Sequence, residues 1–349
     1  MASIPVTILT GFLGSGKTTL LKKILSDDHG YKIAVVENEF GEESIDNEIL
    51  IQDDNERIVQ MNNGCICCNI RGDLVEALSE LIDRRGRGDF DFDHLVIETT
   101  GLANPAPIAQ SFFMAEELAD DYLIDAIITL VDAKHGDAQL SEHEVAQWQV
   151  GFADQIFITK TDLVDADTLA ALQSRLKHIN PRAAVQIAAF GGIEVAQVLD
   201  QRGFNLNAKL DIDPHFLTED DESDHDHVHD EHCQHDHGHH HPQHDDAIKS
   251  FVYRAARPFN MSALDHALGQ LVSQYGKQML RYKGVLDVEG LDRRVVFQGV
   301  HETVGSDVSS KWEEGETRGS KIVFIGFDLP EAVIRSMLDN CLAVSDTLA

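Results

Sequence analysis

The sequence predicts an α/β chain: a mostly parallel sheet with helices on both faces, followed by a smaller α+β unit. Three observations predict it. Short β-branched runs alternate with amphipathic helical patterns from Val6 to Ala189, the rhythm of strand–helix–strand units. A Gly-rich loop joins the first strand to the first helix. A polar, His- and Asp-rich stretch then divides this region from a second set of strands and helices.

The elements follow in order. Val6–Thr10 reads as a buried strand, Thr18–Ser26 as a helix and Lys32–Glu37 as the next strand. Asp73 with Glu76 three residues on has the form of a capping box, so a helix is expected to open there. Leu74, Ala77, Leu78, Leu81 and Ile82 then fall on one helical face. His94–Glu98, Ala126–Val131, Gln155–Thr159 and Val185–Ala189 are further strands. Between Glu219 and Asp246 there are ten His and eleven Asp or Glu, and hardly a large apolar side chain. Such a stretch cannot bury a core and reads as a linker. Beyond it, Ile248–Ala255 is a strand, Ser262–Ser273 a helix, Gln278–Val288 and Arg293–Val300 a hairpin, Lys321–Phe327 a strand and Glu331–Cys341 a closing helix. The expected result is a sheet covered on one side by two helices. The expected domains are 1–213, a linker 214–247, and 248–349.

Composition narrows the function. With 349 residues, two domains are the natural expectation. The net charge of −32, from 60 acidic and 28 basic residues, argues against nucleic acid or anionic lipid as partner and favours the gathering of cations. No stretch approaches the ~20 apolar residues of a membrane span, and MASIPVTIL lacks the basic start of a signal peptide. Three of the five cysteines lie within four positions, which suits metal better than disulfides. A reducing, cytoplasmic location is expected.

Gly11-Phe-Leu-Gly-Ser-Gly-Lys-Thr18 fits G-x-x-x-x-G-K-[ST] at every position, with a strand before and a helix after. The glycines let backbone N–H groups converge on phosphate oxygens, and the helix N-terminus adds its dipole. Gly11, Gly14, Ser15, Gly16, Lys17, Thr18 and Thr19 are the candidate phosphate-binding residues. Lys17 would reach the β- and γ-phosphates and Thr18 would ligate Mg²⁺. The strand Leu95–Glu98 ends in an acid suited to Mg²⁺ or its waters, and Gly101 offers an N–H to a γ-phosphate. Lys17, Thr18, Glu98 and Gly101 are therefore the candidate catalytic group. After another strand, Thr159-Lys-Thr-Asp162 reads as the base reader. A carboxylate at Asp162 accepts from N1 and N2 of guanine, two donors that adenine does not present, while Lys160 lays its stem over the ring. Thr159 stands where GTPases usually carry Asn. GTP is the nucleotide this implies.

Asn63-Gly-Cys-Ile-Cys-Cys68 puts three sulfurs in one short loop. Thiolates favour tetrahedral Zn²⁺ at ~2.3 Å. No second cysteine pair closes a structural finger, so Cys65, Cys67 and Cys68 suit an open site that releases its metal. Redox chemistry and simple packing rank below metal. Glu37–Glu42 (ENEFGE) is an acidic segment where a first switch normally lies, and one of its carboxylates would complete the ligands. The histidines of 225–244 would act as weaker, unselective sites for Zn²⁺, Ni²⁺, Cu²⁺ or Co²⁺; lone histidines such as His94 read as core or surface.

GFLGSGKTTLL, ENEFGE, GCICC, ETTGLANP and TKTD, in that order, resemble the CobW-like GTPases, relatives of the nickel-insertion GTPases of urease and hydrogenase maturation. The resemblance spans residue 4 to about 200, and 248–340 resembles the family's C-terminal domain. It implies a P-loop NTPase fold and slow GTP hydrolysis coupled to metal handling, often of zinc, with Co²⁺ or Ni²⁺ as other cargoes. It also implies Cys65, Cys67 and Cys68 with Glu37 and Glu42 as metal ligands, and delivery to a client metalloprotein. A zinc buffer with regulatory GTP binding, a cobalt chaperone of corrin synthesis and a homo-oligomer stay open.

Overall fold

The computed structural model describes residues 3–38, 57–60, 70–89, 91–188, 192–201, 246–313 and 315–343. Cys65, Cys67, Cys68, Glu42 and the His-rich stretch 225–244 lie outside them. The first part of the chain runs β1 (Ile4–Gly11), α1 (Lys17–Ser26), β2 (Ile33–Asn38), β3 (Arg57–Gln60), α2 (Ile70–Gly86), β4 (His94–Thr99), α3 (Ala106–Met114), α4 (Glu116–Ala119), β5 (Tyr122–Asp132), α5 (Gly136–Glu142), α6 (Glu144–Phe152), β6 (Gln155–Thr159), α7 (Ala166–Ile179) and β7 (Ala184–Ala188). The strands form one sheet in the order β3-β2-β4-β1-β5-β6-β7, with every pairing parallel. Its core strands are apolar on both sides because helices cover both faces. Val6 and Ile8 of β1 join the cluster under α2, α3 and α6, and Leu9 joins the one under α1.

Two expectations change. The helix expected to open at Asp73 begins at Ile70, so Asp73 lies in its first turn and not at its N-cap. The box spacing fits either position, and Ile70–Gly72 continue the helix by most of a turn. Its apolar face holds: Leu74, Leu78 and Leu81 are buried. β3 was not expected. Arg57–Gln60 offers only two apolar residues, and it forms by pairing in parallel with β2 at the sheet edge.

The second part runs β8 (Ile248–Ala255), α8 (Met261–Tyr275), β9 (Met279–Leu286), β10 (Arg293–Val300), β11 (Thr303–Lys311), β12 (Ser320–Phe327) and α9 (Glu331–Asp339). These five strands form an antiparallel sheet, β11-β10-β9-β12-β8. Asn260 caps α8 by accepting from the Ala263 N–H at 3.0 Å. One face packs under α8 and α9, as expected. The other is buried against the first unit. In β12, Ile322 and Phe324 point to the two helices, while Val323 and Ile325 join the core of the parallel sheet, the period-2 alternation of a strand covered on both sides. Asp246, just before β8, forms a buried ion pair with Arg175 of α7 at 2.6 Å, which anchors the start of this unit. No helix among the described residues is long and apolar enough to cross a membrane.

His94, at the start of β4, is fully buried and shares a 2.9 Å hydrogen bond with Thr7 Oγ1. Thr7 Oγ1 lies 3.4 Å from Asp125 Oδ2 and donates to it. This order makes the imidazole the donor through Nε2. Its buried Nδ1 has no hydrogen-bond partner, so a second proton has nothing to donate to. Burial accordingly pushes the imidazole down to about 4. Above the ordinary histidine value of 6.5, the ring is neutral in both states and adds no pH dependence. Below it the unfolded chain takes up the proton and the folded chain does not, so stability falls as pH drops from about 6.5 to about 4. Urea unfolding at each pH should show His94→Gln removing roughly 3 kcal/mol of that decline; an unchanged slope would place the acid sensitivity elsewhere.

Candidate functional site

In open α/β sheets ligands bind beyond the carboxyl ends of the strands where strand order reverses. Here the chain passes from β1 to β2 on one side and later to β5 on the other, and the predicted nucleotide residues gather at that edge. Gly11 ends β1 with φ +144°, and a Cβ there would run into the Leu130 carbonyl oxygen. Only glycine lets the loop leave the sheet this close to β5. Gly14 and Gly16 follow in the left-handed region, and Gly16 precedes α1 directly.

Lys17 is buried and its Nζ donates to the Gly11 and Phe12 carbonyls at 2.7 and 3.2 Å. The ammonium thus lies across the mouth of the loop. Burial pushes it below the ordinary lysine value, and the Glu98 carboxylate opposes that. Thr18 Oγ1 donates to Glu98 Oε1 at 3.1 Å, which joins the predicted Mg²⁺ ligands of α1 and β4. Thr19 is exposed on the first turn of α1. The Ser15 hydroxyl is buried with no hydrogen-bond partner. A cradle with an orphaned donor, a cation across it and a hydroxyl–carboxylate pair beside it fits a Mg²⁺-nucleoside triphosphate. Thr18 and Glu98 would hold the Mg²⁺, which neutralises phosphate charge.

Gly101 follows β4 and packs against the loop; a Cβ on it would lie 2.8 Å from the Leu13 nitrogen. The Gly101 peptide is therefore beside the phosphate loop, as its predicted role requires.

The base loop is bound to the phosphate loop. Thr159 Oγ1 donates to the Ser15 carbonyl at 2.8 Å and contacts the Val131 carbonyl at 3.3 Å. The residue that departs from the usual Asn thus ties the two loops. Lys160, at φ +56°, donates to the Gly14 carbonyl at 2.7 Å and to Asp132 Oδ2 at 2.6 Å. Asp162 is exposed on the short 3₁₀ turn Thr161–Leu163.

Sequence reasoning missed Asp132. It is 1% exposed at the end of β5, in register with Thr159. Burial raises its carboxyl, but hydrogen bonds from Lys160 and from the His135 and Lys134 backbone N–H groups outweigh that and hold it below its ordinary value. The signal was an apolar strand ending in an acid, the same signal read at Glu98.

Of the predicted metal ligands, only the backbone of Glu37 is described. It lies in β2, paired in register with Glu98. Cys65, Cys67, Cys68 and Glu42 lie outside the described residues. Among the described residues no cluster of three His, Cys, Asp or Glu side chains is placed to hold a metal.

Known proteins match this arrangement from end to end. Residues 5–186 match the family model described as CobW/HypB/UreG, nucleotide-binding domain. Residues 248–342 match the Cobalamin synthesis protein cobW C-terminal domain. The zinc chaperone YjiA of Escherichia coli is 41% identical over 96% of this chain and 98% of its own. The zinc chaperone CobW of Pseudomonas aeruginosa is 34% identical over 98% of this chain and 92% of its own. The crystal structure of Zn(II)-bound YjiA GTPase from E. coli superposes with a TM-score of 0.75 at 36% identity, covering 98% of this chain and all of that one. A phosphate loop tied to a base loop, in a chain matched along its whole length by such relatives, leaves one assignment: the chain belongs to the CobW/HypB/UreG family.

Proposed function

We propose that this chain hydrolyses GTP to GDP and phosphate and uses that reaction to hold Zn²⁺ and hand it to a client metalloprotein. One observation carries the reading. The Thr18–Glu98 pair and the phosphate loop sit at the end of β4, and β2, the strand that bears Glu37, pairs with β4 so that Glu37 and Glu98 are register neighbours. The nucleotide and the first proposed metal ligand thus share one backbone ladder. The zinc chaperones and GTPase among the relatives support the same pairing of activities.

In this reading Lys17 and the loop N–H groups neutralise charge that develops on the phosphate oxygens. Gly101 donates its N–H to the γ-phosphate. Asp162 accepts from guanine N1 and N2, and the Lys160–Asp132 pair fixes the loop that presents it. Cys65, Cys67 and Cys68, with Glu37 and Glu42, hold the zinc. Residues 1–213 form the GTPase unit, 214–247 a linker with weaker metal sites and 248–349 the second domain. The protein works in the cytoplasm.

Three expectations test this. Lys17→Ala should abolish GTP turnover, and Asp162→Ala should lower kcat/KM for GTP by about 10–100-fold, the loss of a charged hydrogen-bond pair; equal wild-type hydrolysis of ATP and GTP refutes the guanine assignment. Calorimetry should find one tight Zn²⁺ per chain. Replacing Cys65, Cys67 and Cys68 together by Ala should remove it, while deleting 225–244 should remove only a weaker class; a tight site that survives the triple change lies elsewhere. Finally, zinc affinity measured against a chelating dye should differ about 5–150-fold between GDP and a non-hydrolysable GTP analogue, and zinc must change the preference between the nucleotides by the same factor. Glu42→Ala should shrink that factor while GTP still binds. Equal zinc affinities in the two states would leave a GTPase and a metal site that merely share a chain.

A further inference from the structure

Gln149, on α6, is 1% exposed. Its amide nitrogen donates to two carbonyls, those of Gly101 and Ala103, both at 3.1 Å. An amide –NH₂ carries two hydrogens, and here each has its own acceptor. The two acceptors flank Leu102 in the turn closed by the Ala103 N–H bond to the Thr100 carbonyl. That turn lies between the phosphate loop, where Leu13 contacts Gly101, and α6. The helix is fixed to the sheet beneath it, because Thr129 of β5 donates to the Gln149 carbonyl at 2.8 Å.

The same helix touches the second unit. Gln147 Oε1 accepts the Ile248 N–H at 3.1 Å. Gly151 brings α6 against β8, β9 and β12, so that even a single Cβ there would lie 3.4–3.6 Å from Leu280, Ile325 and Ile248. The Phe152 carbonyl accepts from Arg281 of β9, and the Phe152 ring packs on His301 at 5.6 Å. Asn180 fixes this end by donating to the Val150 and Ala153 carbonyls at 2.8 and 2.9 Å. A two-turn helix therefore grips the Gly101 turn through one side chain and the second sheet through its last residues.

We propose that Gln149 is a positioning residue for the γ-phosphate-binding turn, and that through it α6 transmits the position of Gly101 to the β8–β9–β12 face of the second unit. This rests on the assignment of Gly101 to the γ-phosphate. A turn that moves to meet a phosphate oxygen through the Gly101 N–H moves the carbonyls that Gln149 holds. The helix must follow or release them. Gln149 thus joins that turn to α6 through the two hydrogens of one amide.

The chain has two tryptophans, and one, Trp148, is the neighbour of Gln149. On a Trp312→Phe background Trp148 is the sole reporter. Its emission should differ between GDP and a non-hydrolysable GTP analogue. Gln149→Met, which keeps length and removes both donors, should abolish that difference. It should also lower kcat by about tenfold, the effect of a misplaced site group, with KM for GTP changed less than about twofold. A folded Gln149→Met protein that keeps both the emission difference and kcat overturns the proposal. Hydrogen exchange on the wild-type chain gives an independent measure: α6 and β9 amides should differ between the two nucleotide states, and identical protection overturns the relay whatever the variant does. If calorimetry finds no binding of the GTP analogue at all, the GTPase reading falls and the relay with it. Tight binding with a silent α6 removes the relay alone.

Discussion

The site depends on the contact between Lys160 and Asp132. The carboxylate is almost wholly buried at the end of β5, and a buried charge is tolerable only when paired and hydrogen-bonded. Lys160 supplies the charge, and the Lys134 and His135 N–H groups supply the bonds at 2.8 and 3.1 Å. In return the ammonium is placed where it also reaches the Gly14 carbonyl. The base loop and the phosphate loop are thereby one body. The arrangement holds Lys160 in left-handed backbone, which costs on the order of 1–2 kcal/mol for a residue with a Cβ. Strain of this kind persists only where the surroundings over-determine the conformation, and here Gly14, Asp132 and the Leu163 N–H, which donates to the Lys160 carbonyl, do so. The same turn sends Asp162 outward to the solvent side, where a base would arrive.

What was legible in the sequence, and what was not, divides along sequence distance. The phosphate loop could be read because its geometry is local: glycines, a lysine and a threonine at fixed spacing between a strand and a helix. The strands β1, β2, β4, β6, β8 and β12 could be read because each is a run of apolar or alternating residues. Asp132 ends an apolar strand as Glu98 does, but its partner Lys160 lies 28 positions away, so the sequence shows an acid there and not what it holds. The Thr159 hydroxyl bond to Ser15 spans 144 residues, so the sequence shows a departure from Asn but not that the hydroxyl ties two loops. β3 and β11 were missed for another reason. Arg57–Gln60 and Thr303–Lys311 are edge strands, half polar, and their neighbours supply most of the order through ladder bonds. Gln149 carries no signal at all: a glutamine in an amphipathic helix is ordinary until its helix meets a particular turn.

The second unit is more constrained than a sheet with two helices on one side suggests. Ile248, Leu280, Val300, Val323 and Ile325 belong to the same apolar cluster as Val6, Ile8 and Phe152. Its sheet is thus buried on both faces, by its own helices on one and by the nucleotide-binding unit on the other. The face turned to the nucleotide-binding unit could not be displaced without opening the core of that unit. Rearrangement between the units, if it follows the nucleotide, must be a small sliding of packed elements and not a wide separation, since close-packed interfaces switch between discrete arrangements. α6 has the means to impose such a slide, because Gln149 holds the Gly101 turn while Gly151 and Phe152 lie against β8, β9 and β12.

The same economy applies at the opposite side of the phosphate loop. Neighbouring strands lie about 4.8 Å apart, and β2 and β4 are joined by an unbroken parallel register from Ile33 and His94 to Asn38 and Thr99. The end of β2 cannot move along the sheet without breaking ladder bonds to β4, and β4 carries Glu98. A cation that draws on Glu37 and one that draws on Glu98 therefore act on one rigid ladder. With Glu37 as a zinc ligand, two cations on neighbouring strands would repel each other, so a favourable link between metal and nucleotide must come through the ladder that joins β2 to β4.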